Sequence, residues 1–125
     1  MKREQISARF QSRISYRGSV EDVSQRICKD FKLGSFVSNR VITTWYEDFN
    51  VAIETTKGTY LAKIFADFRD AKDCKRYVEV MSRAHAAGVA LPRLYASDQG
   101  YLHQFKLGEA PVRLCLTDYV DGKTF

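Results

Sequence analysis

Lys63 is the residue whose type fits its neighbours least. It sits inside Leu61-Ala62-Lys63-Ile64-Phe65, an apolar run with strand-forming character, where a buried and unpaired charge would cost several kcal/mol. Two arrangements resolve that conflict. Either the lysine's side of the strand faces water, or its ammonium is paired and put to use. A strand lysine followed by a carboxylate-bearing helix is the arrangement that grips nucleotide phosphates in phosphoryl transfer, with the lysine on the phosphates and a helix acid orienting it. The segment after Lys63 carries acids at Asp67, Asp70, Asp73 and Glu79.

Other chemistries find less support. His85 is followed by Ala86-Ala87 and His103 by Gln104-Phe105, with no carboxylate or cysteine at ligand spacing, so both histidines read as structural and no metal site is expected. Cys28, Cys74 and Cys115 lie about forty residues or more apart, which suits neither a disulfide framework nor a zinc knuckle and makes a reducing cytoplasm the default. No Ser-His-Asp or Cys-His set suggests itself. Of the formal charge of +5, residues 1–17 carry +4, because Lys2, Arg3, Arg9, Arg13 and Arg17 face only Glu4. A basic arm there could touch nucleic acid or anionic lipid, but a solvated basic face explains it as well, and the rest of the chain is nearly neutral. No apolar run approaches the roughly 20 residues of a membrane span, and the first residues lack the apolar core of a secretory signal.

The elements that must position Lys63 follow from patterning. With 45% hydrophobic and 28% charged residues, a chain of 125 suits one globular domain. Residues 6–16 alternate like a strand, yet Ile6, Phe10 and Ile14 also stand four apart, so strand and helix both fit. Ser19 as N-cap, Glu21 and Asp22 in the first turn, and a stripe of Val20, Val23, Ile27 and Phe31 predict a helix over 20–33, with Gly34 as its C-cap. Val37 and residues 41–45 then read as a strand, 46–50 as an acidic break, and 51–55 as a second strand. Thr56-Lys57-Gly58 closes a hairpin onto a third strand at 59–65. A second helix is expected over 67–87, ended by Gly88 and Pro92. Short strands follow at 93–96, 101–105 and 112–117, with Gly100, Gly108 and Pro111 in the gaps. This order gives an α+β domain with a largely antiparallel sheet.

Four segments carry a resemblance over residues 35–125. Tyr46-Glu47-Asp48-Phe49-Asn50-Val51-Ala52-Ile53 is similar to a phosphate-loop segment, and Thr56-Lys57-Gly58-Thr59-Tyr60-Leu61-Ala62-Lys63-Ile64-Phe65 to a hairpin with its lysine strand. Gly88-Val89-Ala90-Leu91-Pro92-Arg93-Leu94-Tyr95 is similar to a link from helix to fourth strand, and Leu116-Thr117-Asp118-Tyr119-Val120-Asp121-Gly122 to a hinge. In this order the chain resembles the N-terminal lobe of the aminoglycoside phosphotransferase and choline kinase family, the protein-kinase-like small-molecule kinases. The resemblance implies a kinase-like N-lobe at 35–125, a five-stranded sheet with one αC-type helix, preceded by an N-terminal helix at 18–34 and the arm at 1–17. It implies ATP as cofactor, with magnesium in the complete enzyme. Lys63 would hold phosphates and Leu61, two residues away on the same strand face, would floor the adenine. Phe49 and Asn50 would cap phosphates through their backbone. Thr117 would guard the back of the pocket, with the backbone of Asp118 and Val120 on the adenine. Trp45 stands where a small residue is more usual.

The acid partner of Lys63 stays open. Glu79, sixteen residues on, has the family's separation, with Asp73 as the alternative. A wheel at about 100° per residue puts Cys74, Tyr77, Val78, Met81, Ala84 and His85 on one apolar arc and leaves Glu79 outside it. Counting back from Leu91-Pro92 places the acid's position near Tyr77. The family's His-Gly-Asp loop and metal-binding Asn are absent, and Asp67-Phe68-Arg69 resembles a metal-binding Asp-Phe-Gly only by chance. The chain is therefore expected to be the nucleotide-binding lobe of a phosphotransferase without its catalytic lobe, inactive alone, taking its small-molecule substrate only in the complete enzyme. Its uncovered lobe-facing surface would invite self-association. The rival readings are a non-catalytic protein-interaction module and a small nucleic-acid-binding α+β domain using the arm.

Overall fold

The amphipathic stripe near the N-terminus does form a helix. A computed structural model describes residues 20–42, 49–66, 69–107 and 110–119; the arm at 1–17, Ser19, residues 43–48, Asp67, Phe68, Gly108 and Val120 lie outside the described residues. Helix α1, Val20–Asp30, buries Val20, Val23, Ser24, Ile27 and Cys28, with Glu21 and Asp22 in its first turn and Lys29 in its last. It ends three residues sooner than expected. Lys32, at φ +57°, supplies the left-handed residue; its N–H reaches Lys29 O at 3.3 Å, and the Leu33 N–H reaches Cys28 O at 3.0 Å. This is a Schellman closure with lysine where glycine is usual.

Strands β1 (Phe36–Ile42), β2 (Phe49–Thr55) and β3 (Gly58–Ile64) form an antiparallel meander. Thr55 closes the β2–β3 turn with its hydroxyl, accepting from the Lys57 N–H at 3.0 Å and donating to Gly58 O at 3.2 Å. Phe49 and Asn50 do not belong to the break where patterning left them. Both lie in β2, opposite Ile64 and Lys63.

Helix α2, Ala71–Ala86, starts at Asp70, whose carboxylate accepts the Asp73 N–H at 2.8 Å. The cap moves the helix start from 67 to 71. The remaining strands are β4 (Leu94–Tyr95), β5 (His103–Leu107) and β6 (Ala110–Asp118). The sheet therefore has six strands rather than five, because one edge of β6 takes two partners. There β5 pairs with Ala110 to Leu114 and β4 with Leu116 and Thr117, while β3 occupies the other edge from Leu114 to Asp118. Pro111, expected in a gap, sits inside β6 opposite Lys106. It precedes the part of β6 that β3 pairs, so its missing N–H leaves no ladder bond unmade on that side.

Both faces of the sheet are used. Ala62 and Ile64 point to the α1 side and join Val23, Ile27, Val51, Ile53, Leu114 and Leu116 in the main core. The opposite face packs α2 through a smaller cluster of Phe65, Cys74, Val78, Leu94 and Cys115. Lys63 and Leu61 belong to this second face, and α2 stands at one end of it.

Candidate functional site

Cross-strand pairs in an antiparallel sheet share a face, so the register assembles two rows on the α2 side. One runs Ile42, Asn50, Lys63, Cys115; the other runs Arg40, Ala52, Leu61, Thr117, Leu94. Lys63 is half-buried with Asn50 directly across from it, and Leu61 is half-buried beside the buried Thr117. Four of the residues singled out from sequence thus meet on one patch: a cation, an amide, an apolar side chain and a hydroxyl.

The α2 side chain set against Lys63 is Tyr77. The Lys63 Nζ stands 5.3 Å from the centre of the Tyr77 ring, within cation–π range. The ring is itself steadied edge-on by Phe65, with centroids 5.5 Å apart and planes at 77°. Glu79 does not come to this place. It is exposed and lines a hollow with Lys75, Val78, Ser82, Arg83 and Gln99 on another flank of α2. Two residues of helix turn the chain about 200°, so a helix that aims Tyr77 at the lysine aims Glu79 away. Asp73 is exposed in the first turn. The apolar arc that holds Tyr77 with Cys74 and Val78 was the sequence signal for this outcome.

At the end of β6 the backbone is firmly tied. The Asp118 N–H donates to Arg93 O at 3.1 Å, and the Thr117 hydroxyl reaches Asp118 O at 3.2 Å. The Tyr95 hydroxyl donates to the Asp118 carboxylate, and this bond, together with burial, pushes the Tyr95 phenol above its ordinary pKa. Beyond it, the Arg40 guanidinium lies 5.7 Å from the Tyr119 ring centre and donates to its hydroxyl. That contact joins β1 to the end of β6 across β2 and β3, between residues 79 apart in sequence, and no local pattern announces it.

One Ser-His-Asp cluster does form, from residues whose spacing in sequence suggests none. Buried His103 meets the Ser97 hydroxyl at 2.6 Å through Nδ1 and the Asp30 carboxylate at 2.9 Å through Nε2, while Arg26 holds Asp30 at 3.0 Å. The arrangement reads as a brace. Ser97 also accepts the Gln99 N–H at 3.1 Å, and the hollow beside the cluster is lined by Arg26, Lys29, Asp30, Gln99, His103 and Gln104 rather than by Ser97. The partners of His103 are ones that its neighbours in sequence do not supply. All three cysteines are buried, and burial pushes the Cys28 thiol up, away from nucleophilic use.

Among the described residues no group of three or more His, Cys, Asp or Glu side chains converges as metal ligands would, and no helix is long and apolar enough to cross a membrane. A six-stranded antiparallel sheet with a mid-strand lysine facing the helix that follows it has the architecture of a kinase-like N-terminal lobe. The chain belongs to the phosphotransferase enzyme family, whose model matches residues 41–125. No curated protein matches it.

Proposed function

We propose that the chain is the ATP-binding lobe of a small-molecule phosphotransferase of the aminoglycoside phosphotransferase type, working in the cytoplasm. The observation that carries this reading is the shared face of Lys63, Asn50, Leu61 and Thr117. Leu61 offers an apolar surface to the base, and Thr117 bounds the site at the β6 end. The backbone at Asp118 and Val120 would meet the base edge. Lys63 is the cation for the phosphates, flanked by Asn50 and the backbone of Phe49. The donor set fits a nucleotide: an ammonium with three N–H groups stands two residues from an apolar platform. ATP supplies the transferable γ-phosphoryl, and this lobe's residues bind and orient it.

Contacts from these residues alone are worth about 4 kcal/mol, a dissociation constant on the order of millimolar. ATP titrated into isotope-labelled protein should shift the amides of residues 61–65 and 117–119. Lys63→Ala should weaken ATP more than adenosine, because the lysine meets phosphate and not base. If several millimolar ATP left both strands unmoved, the reading would fail.

A further inference from the structure

We propose that Arg40 is a binding residue for the base, and that its guanidinium, held by Tyr119, closes the outer side of the site and stacks on the purine ring. The inference rests on the nucleotide reading above and adds to it a side chain that recognises the base.

The sheet register separates Arg40 from the phosphate end. On the α2 face, Lys63 shares its row with Asn50 and Ile42, so β1 contributes an apolar side chain there. Arg40 lies one row over, opposite Ala52, in the row that continues through Leu61 to Thr117. Two residues of strand set these rows about 7 Å apart. The same face thus carries two cations with different neighbours: Lys63 beside an amide, Arg40 beside an apolar platform.

Tyr119 fixes where the guanidinium stands. It comes two residues after Thr117, on the side of the platform away from Lys63. Strands β1 and β6 are three strand spacings apart, about 14 Å, so the two side chains meet part-way, across β2 and β3. There the Arg40 guanidinium is 5.7 Å from the Tyr119 ring centre and donates to its hydroxyl. The bridge slants over the outer end of the platform, where Ala52 has no side chain beyond Cβ and Leu61 is half-buried. Arg40 itself is exposed, open to an arriving ligand.

The chemistry suits a base better than a phosphate. A guanidinium is flat, delocalised and weakly hydrated, and it stacks on aromatic rings where a compact ammonium does not. A purine set on Leu61 meets it with its ring, while the phosphates extend the other way, toward Lys63.

The test titrates adenosine, ATP and inorganic triphosphate into the isotope-labelled full chain. Arg40→Ala should weaken adenosine and ATP alike, about two- to fivefold, and leave triphosphate unchanged. Arg40→Lys keeps the charge but loses the plane, and should weaken adenosine as the alanine does. Lys63→Ala should do the converse, weakening ATP and triphosphate but not adenosine. In the unmodified protein the Arg40 Nε–H signal should move with adenosine and stay still with triphosphate, a readout that holds even if Arg40→Ala disturbs the sheet. Tighter adenosine binding in Arg40→Ala would make the bridge a plug over the platform, and a loss confined to ATP and triphosphate would make Arg40 a phosphate ligand. Either result overturns the proposal, as does an Arg40 signal unmoved by adenosine. Shifts at residues 61–65 and 117–119 would still uphold the nucleotide reading in those cases. If adenosine and ATP moved neither strand, that reading would fall and this one with it.

Discussion

Tyr95 ties the short strand β4 to the end of β6, and its chemistry makes the tie sensitive to pH. Its hydroxyl donates to the Asp118 carboxylate, and that bond, first, and burial, second, raise the pKa of the phenol above its usual 10.0. A raised pKa means the folded protein holds this proton more tightly than the unfolded chain. The bond's stabilisation is therefore complete below the unfolded value and is lost as pH rises through the folded one. Stability should fall in the alkaline range above about pH 10, and Tyr95→Phe should flatten that fall at a cost near 1 kcal/mol at neutral pH. Denaturant melts of both proteins from pH 7 to 11 check this, and equal alkaline slopes would refute it. At this scale the sequence was informative about Lys63, because a cation in an apolar strand is legible without a structure. It left the lysine's partner open. Sixteen residues of separation say how far Glu79 is along the chain but not which way the helix is rotated, and the packing of Cys74 and Val78 decides the rotation.

Within single elements, most boundaries came from hydrophobic period and caps, and the errors share one cause. The end of α1 was assigned to Gly34 because glycine is the usual left-handed residue, yet the chain turns at Lys32, φ +57°, and uses Gly34 for something else. Gly34, at φ +86°, lets the backbone run against the β2–β3 turn, where a Cβ would come within 2.4 Å of the Thr56 hydroxyl. The Thr56 hydroxyl accepts the Ser35 N–H at 3.0 Å, which keeps that close approach in place. Two substitutions two residues apart should then act in opposite directions. Lys32→Gly should stabilise by about 1 kcal/mol by relieving a left-handed lysine. Gly34→Ala should destabilise by about 1–3 kcal/mol through backbone strain and the clash. Thermal melts of the two variants decide the matter, and the pair is refuted if they shift the same way. Asn50 falls in the expected break for a related reason. An acidic run reads as a turn, and its place in a strand depends on pairing with a distant neighbour.

For the molecule as a whole, the telling fact is that the family match begins at residue 41 while the main core, among the described residues, reaches back to Val20. Helix α1 is no appendage. Val23 and Ile27 are fully buried in the same cluster as Val51, Ile53, Ala62, Ile64, Leu114 and Leu116, so they close the face of the sheet opposite the candidate site. The helix is also fastened at its far end, where Asp30 meets His103 at 2.9 Å and His103 meets Ser97 in the loop between β4 and β5. Burying Val20, Val23 and Ile27 contributes roughly 5–9 kcal/mol at 1.5–3 kcal/mol each, which is comparable to the whole stability of a domain this size. A protein beginning at residue 35 would keep every residue of the candidate site and lose the cover of the sheet's other face. It should fail to fold, giving collapsed amide dispersion in NMR and no cooperative melt. Adding residues 18–34 back should restore both. His103→Ala in the full chain should be milder, costing about 1–3 kcal/mol because it leaves the Asp30 and Ser97 groups without their shared partner. A well-dispersed spectrum from residues 35–125 alone would show that the sheet and α2 are self-sufficient and that α1 only decorates them.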